Sequence, residues 1–143
     1  MNQREKIDAF EAMLAQCPQT QIPVIHRFTD GLYIREVHVP KGMIFTSRTH
    51  KTQHPFVISA GVAEIVNERG ERFIVRAPYT GVTEPGTRRI FVVHMDMVLT
   101  TFHVTKQTDP DAWVEENTYL ENRLLPGNFE QNCFEGRKHL CQP

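Results

Sequence analysis

Three residues with usable side-chain chemistry sit at fixed intervals between two glycines. Five residues separate Gly42 from Arg48, one separates Arg48 from His50, three separate His50 from His54, and six separate His54 from Gly61. Side chains two apart on a strand share a face. Arg48 and His50 are therefore expected to point the same way, and His54, on a following strand, to face them across the connection. Neutral imidazoles ligate transition metals and exchange protons near neutral pH. A guanidinium fork pairs bidentately with a carboxylate or phosphate. Arginine does not lose its proton and cannot ligate a metal. The set thus suits a small anion held by Arg48, His50 and His54, or a metal held by His50, His54 and a further histidine.

The chain has seven histidines, and His38, His50, His54, His94 and His103 all fall between residues 31 and 105. His38 or His103 could supply a third donor; His94 is expected near a turn, which places it less well. A second cation, Arg89, follows Pro85-Gly86 and is read as a partner of Arg48 toward an anionic ligand. Asp96 reads as a turn residue rather than a catalytic acid. Cys133, His139 and Cys141 lack a fourth donor at zinc-finger spacing and are not read as a metal site.

The elements that must position these residues are legible. Ile7, Phe10, Met13 and Leu14 recur at helical spacing, so residues 2–16 are expected to form a helix that ends at Pro18. Residues 24–105 break into short apolar, β-branched runs. Leu32 to Val39 alternates strictly, with Tyr33, Arg35, Val37 and Val39 on one side. Residues 68–71 form a hairpin turn, and 72–76 leave it as a strand. Residues 77–87 are expected to be a loop, and 88–94 and 97–105 a hairpin turning at Met95-Asp96. Thr108-Asp109-Pro110-Asp111 starts a short helix through Trp113, and 126–143 reads as irregular.

The interval pattern from Gly42 to Gly61 resembles the first motif of the cupin superfamily, G-x5-H-x-H-x3-E-x6-G, with Arg48 in the first His slot and His54 in the Glu slot. The second motif, G-x5-P-x-G-x2-H-x3-N, is matched poorly; taking Gly86 as its glycine puts Arg89 at the His position and Val93 at the Asn position. The resemblance spans roughly residues 31–105. It implies an all-β, cupin-like double-stranded β-helix or jelly-roll barrel with an N-terminal helix and a short C-terminal helical tail. The chain is then one domain over 1–143: helix and linker 1–23, barrel 24–105, tail 106–143. The altered slots favour a small-molecule-binding protein that holds an anion through Arg48, His50, His54 and Arg89. The alternatives are a metal-dependent dioxygenase or isomerase using Fe, Mn, Ni or Zn, and a non-catalytic interaction protein whose acidic tail around Trp113 is the contact surface. Cupins commonly pair through edge strands, which implies a homodimer.

Composition narrows the rest. Sixteen Lys/Arg against 17 Asp/Glu gives no reason to expect nucleic acid or a membrane as partner. The N-terminus has no secretory apolar region. Cys17, Cys133 and Cys141 are odd in number and are expected to be reduced thiols, which places the chain in the cytoplasm.

Overall fold

In the computed structural model, residues 2–119 and the backbone of 131–134 are described. Helix α1 (Gln3–Ala15) leads into strands β1 (Val24–Thr29), β2 (Leu32–Val39), β3 (Met43–Thr46), β4 (His54–Asn67), β5 (Arg72–Arg76), β6 (Tyr79–Thr83) and β7 (Arg89–Val104). Helix α2 (Pro110–Asn117) and strand β8 (Gln131–Phe134) follow. All strand pairings are antiparallel.

Two long strands organise the barrel. β4 and β7 pair along most of their length. The first half of β4 adds β6 and its second half adds β5. β7 pairs with β3 through Ile90–Val92, and with β2 through Met97–Val104. The outcome is two five-stranded layers, β1-β2-β7-β4-β6 and β8-β3-β7-β4-β5, that share their two central strands. This is a jelly-roll solution to burying two apolar sheet faces against each other. The strict alternation of Leu32 to Val39 is realised, with Tyr33, Arg35, Val37 and Val39 buried. Between the layers lies a core of Val37, Val39, Phe45, Ile58, Ile65, Val93 and Met97, among others.

The shared strands bend where they pass from one layer to the other. The β4–β7 register shifts between Ile58 and Ala63. At the centre of that segment Gly61 has φ +98°, and a Cβ built on it would lie 2.5 Å from the Asp96 carbonyl oxygen and 2.6 Å from the Met97 Cα. Only glycine permits this approach. The expected hairpin at Met95-Asp96 is in fact this crossing. β7 continues through it as one strand, exchanging β3 for β2 as neighbour, and the Asp96 carboxylate accepts the Lys41 backbone N–H at 2.8 Å.

Helix α1 packs on the outside of the barrel. A capping box starts it, with Asn2 accepting from the Glu5 N–H and Glu5 accepting from the Asn2 N–H, both at 2.9 Å. Phe10 and Leu14 cover Ile44, Ile90 and Val92 on the outer faces of β3 and β7. Asp8 and Glu11 pair with Arg88, whose side chain is 1% exposed. A buried guanidinium is tolerated only with such partners, so Arg88 anchors the helix.

Three other expectations change. The stretch 77–87 contains β6, because Tyr79–Thr83 completes the hydrogen bonding of the first half of β4. The stretch 126–143 contains β8, which pairs with β3; the rest of it lies outside the described residues, as do His139 and Cys141. Cys17 is disulfide-bonded, not reduced. An odd cysteine count says nothing of proximity, which only the closed fold decides. No helix among the described residues is long and apolar enough to cross a membrane.

Replacing Gly61 with Ala should destabilise the protein by about 2 kcal/mol or more, since an L-residue at positive φ costs roughly 1–2 kcal/mol before any clash is relieved. Urea unfolding of G61A against the parent checks this; an unchanged midpoint would mean that the crossing tolerates a side chain.

Candidate functional site: a histidine cluster between three arginines

Strand register brings the histidines together. Phe56 on β4 stands opposite Thr101 on β7. Continued two residues outward, that register sets His54 against His103, and their ring centroids are 4.5 Å apart. Both point inward, 3% and 2% exposed. His50 arrives from the connection between β3 and β4. Its ring lies 4.4 Å from that of His54 and 5.4 Å from that of His103. One ligand nitrogen from each of the three lies within 4.8 Å of the other two.

The connection carrying His50 is held by the helix that follows the barrel. Lys51 N–H donates to the Asn117 carbonyl at 2.8 Å, and Tyr119 N–H donates to the Thr49 carbonyl at 3.0 Å. His50 bridges Thr118. Helix α2 starts on Asp109, whose carboxylate accepts the Ala112 N–H at 3.1 Å, and delivers Trp113 into the barrel. Trp113 is 1% exposed. Its ring sits 4.3 Å from His103, 4.9 Å from Tyr33 and 5.8 Å from His50. Trp113 is therefore a wall of the histidine cluster. The Trp113 side chain itself is thus not offered to a partner, whereas the expected contact surface was placed around it.

The imidazoles are neutral. Burial holds His50 well below its ordinary 6.5, reinforced by the neighbouring His54 and by Arg35, Arg48 and Arg89. Burial brings His54 to about 4, a contact with the Thr52 carbonyl opposing the fall and Arg89 adding to it. Burial brings His103 to about 2, with His54, His50 and Arg35 adding to it. His103 Nε2 lies 2.8 Å from the Thr101 hydroxyl; if Nε2 carries the proton, Nδ1 is left with its lone pair. Both His103 Nδ1 and His50 Nδ1 are buried without a hydrogen-bond partner. Orphaned buried acceptors are costly.

These residues fit a divalent transition metal. The donors are neutral imidazoles, one oriented by a hydroxyl in the manner common for metal-bound histidine. Two of their nitrogens lack any other partner. Bonds of about 2.1 Å would require the rings to draw together by only about 1 Å. What opposes an ion is charge, since three guanidiniums share the cavity.

Arg35, Arg48 and Arg89 line an open-mouthed cavity together with His50 and His54. Arg48 reaches the Tyr119 carbonyl at 3.2 Å at the rim. Arg89 donates to the Thr83 hydroxyl at 2.7 Å and lies 5.3 Å over the Phe56 ring; burial lowers its pKa. Phe45 and Phe91, stacked at 4.7 Å, form an apolar wall.

Of the candidates named from sequence, Arg48, His50, His54, Arg89 and His103 meet here. His38 does not. It lies on the outward phase of β2, its Nε2 2.6 Å from Glu36. His94 is exposed beside Glu64 at 3.6 Å. Arg35 had gone unassigned, although its place in the phase Tyr33, Arg35, Val37, Val39 marks it as inward. Trp113 carried no such signal, because its contact with the cluster spans the whole barrel.

No family model and no curated protein matches this chain. Solved structures do match. An ectoine synthase from P. lautus is 13% identical and aligns over 78% of this chain and 85% of its own, with TM-score 0.57. The cupin domain of Schizosaccharomyces pombe Cnp3 is 15% identical over 71% of each chain, with TM-score 0.50. A cupin superfamily protein from Desulfitobacterium hafniense is 9% identical over 63% of this chain and 83% of its own, also with TM-score 0.50. The fold is a cupin fold. At these identities the likeness extends to the fold and not to the chemistry, and the cupin barrel is what sets His50, His54 and His103 between its layers.

In the metal-free protein, stability should fall as pH drops from about 7 toward 4. Each imidazole has its folded pKa below its unfolded value, so the unfolded chain takes up protons that the folded cluster excludes. The contribution is present above the unfolded pKa and is lost as pH falls, by up to about 1.4 kcal/mol per pH unit for each imidazole. Denaturation of chelator-treated protein across this range, beside H54Q/H103Q, measures it; equal slopes for both would contradict neutral burial.

Proposed function

We propose that this cupin binds a small anionic ligand together with a divalent transition metal held by His50, His54 and His103. The observation that carries this reading is the pair of buried, unpartnered Nδ1 atoms, on His50 and His103, in a cavity that arginines line and, among the described residues, no acid does. A cation alone is disfavoured by the guanidiniums, and an anion alone leaves the imidazole nitrogens unsatisfied. Each makes the other easier to bind. Bound there, Fe, Mn, Ni or Zn would act as a Lewis acid toward an oxygen of the ligand. Arg48 and Arg89 would orient that ligand by forked hydrogen bonds, and the Phe45–Phe91 wall would keep water from its far side.

Turnover as a dioxygenase or isomerase is the second reading, supported by the same apolar wall; a screen with metal-loaded protein tests it. For location, the disulfide at Cys17 argues against the expected reducing, cytoplasmic setting. A homodimer is supported by the edges of β5 and β6, which among the described residues pair only with β4, and where Phe73, Ile74, Tyr79 and Val82 are 39–59% exposed. Light scattering at micromolar concentration should give twice the mass of 16.6 kDa; a monomer would remove that part of the proposal.

Elemental analysis of untagged protein, after reconstitution with each metal, should give near-stoichiometric binding that H103A and the H50A/H54A double variant lose. The chain has one tryptophan, and it touches His103. Co(II) or Ni(II) should therefore quench Trp113 emission, and Zn(II) should compete. Absence of metal in every case, with unquenched emission, would leave anion binding as the whole function.

A further inference from the structure

Arg88 and Arg89 are neighbours in sequence and opposites in environment. Arg88 turns outward and receives Asp8 and Glu11 from α1. Arg89 turns into the cavity, where it donates to the Thr83 hydroxyl at 2.7 Å and lies 5.3 Å over the Phe56 ring. Among the described residues lining the cavity there is no carboxylate. A hydroxyl and a ring do not neutralise a half-buried guanidinium, and an acid group would. Arg35 already has a partner within the chain and is given no ligand charge.

Strand register orders what surrounds Arg89. Thr83 on β6 stands opposite His54 on β4, so the guanidinium that Thr83 receives lies at the His54 end of the cluster. Side chains two apart on a strand share a face. On β7 the residue that follows Arg89 on its face is Phe91, and on β4 the residue that follows His54 is Phe56. Phe91 pairs in register with Phe45, and their rings stack at 4.7 Å with 3° between the planes. Leu99 lines the same cavity. Along both long strands, then, the side chains that follow the polar end are apolar. We propose that the anion this cavity takes is a monocarboxylate with a short apolar chain, its acid group on Arg89 beside His54 and its chain against Phe56, Phe91, Phe45 and Leu99. A second acid group at the other end of the chain would lose its water against those side chains. This inference rests on the anion half of the function proposed above and is independent of the metal half.

Titration calorimetry with acetate, butyrate, butyramide and succinate tests both ends of the ligand. The run is made on chelator-treated and on Zn(II)-loaded protein, with metal content measured on the same samples. Butyrate should bind about tenfold tighter than acetate, the gain expected for two buried methylene groups. It should bind about tenfold tighter than butyramide, the range of one charge-assisted contact, and tighter than succinate, which carries a second acid group on a chain of the same length. R89Q should bring the ratio of butyrate to butyramide near one, with its circular dichroism spectrum as the check on folding. F91L and L99T alter the apolar end, and the gain of butyrate over acetate should fall in at least one of them. Equal binding of acetate and butyrate would leave a small-anion function and overturn this proposal. So would tighter binding of succinate than of butyrate, an acid-to-amide ratio unchanged in R89Q, or a chain-length gain untouched by both F91L and L99T. No binding by any of these acids would overturn the anion half of the function as well. Selectivity for butyrate without metal uptake would support this proposal and sink the metal reading alone.

Discussion

The close crossing of β4 and β7 at Gly61 is the constraint on which the rest of the barrel depends. Two strands of 14 and 16 residues cannot each serve both layers of a sandwich unless they bend together and their backbones nearly touch. Glycine at positive φ, with the Asp96 and Met97 backbone within 3 Å of where a Cβ would be, allows that. The register on either side of the crossing then follows. It places Phe56 opposite Thr101 and so His54 opposite His103. The chemistry of the cavity is in this sense a consequence of a backbone contact well away from it.

Around that scaffold the charges are sorted. The outward cation, Arg88, is neutralised by the helix it anchors, and the surface cluster of Arg27, Glu36 and His38 pairs within itself. Among the described residues lining the cavity there is no acid, and the histidines beside the arginines stay neutral because burial and those cations oppose their protonation. A site with that balance is costly to the folded chain when empty, which is the usual mark of a place where stability has been traded for binding. The two buried Nδ1 atoms and the desolvated Arg89 are three separate signs of the same cost.

Helix α2 ties the tail to the site. By hydrogen-bonding the connection that carries His50 and stacking Trp113 on His103, it makes the barrel strands insufficient for the histidine cluster. A helix that follows β7 thus completes a site whose other members come from β4, β7 and the connection before β4.

Much of this was readable from residue types and spacing. The interval Gly42–Gly61 announced the barrel and singled out Arg48, His50 and His54, although Arg48 and His50 lie on the connection between β3 and β4 and not on a strand whose period would face them alike; alternation along Leu32 to Val39 set which face was inside; Asp109-Pro110 marked the start of α2. Those features are local, governed by the period of a strand and the capping of a helix, and a sequence carries them directly. Which third histidine joins the pair was not local. His38, His94 and His103 are alike in sequence, and only the register between strands fifty residues apart turns His103 inward and leaves the other two paired with Glu36 and Glu64. The same holds for β7, which reads as a hairpin until its two different neighbours are known, for Cys17, and for Trp113. Each depends on long-range pairing, whose partners are chosen by the packing of the closed barrel and not by the residues beside them in the chain.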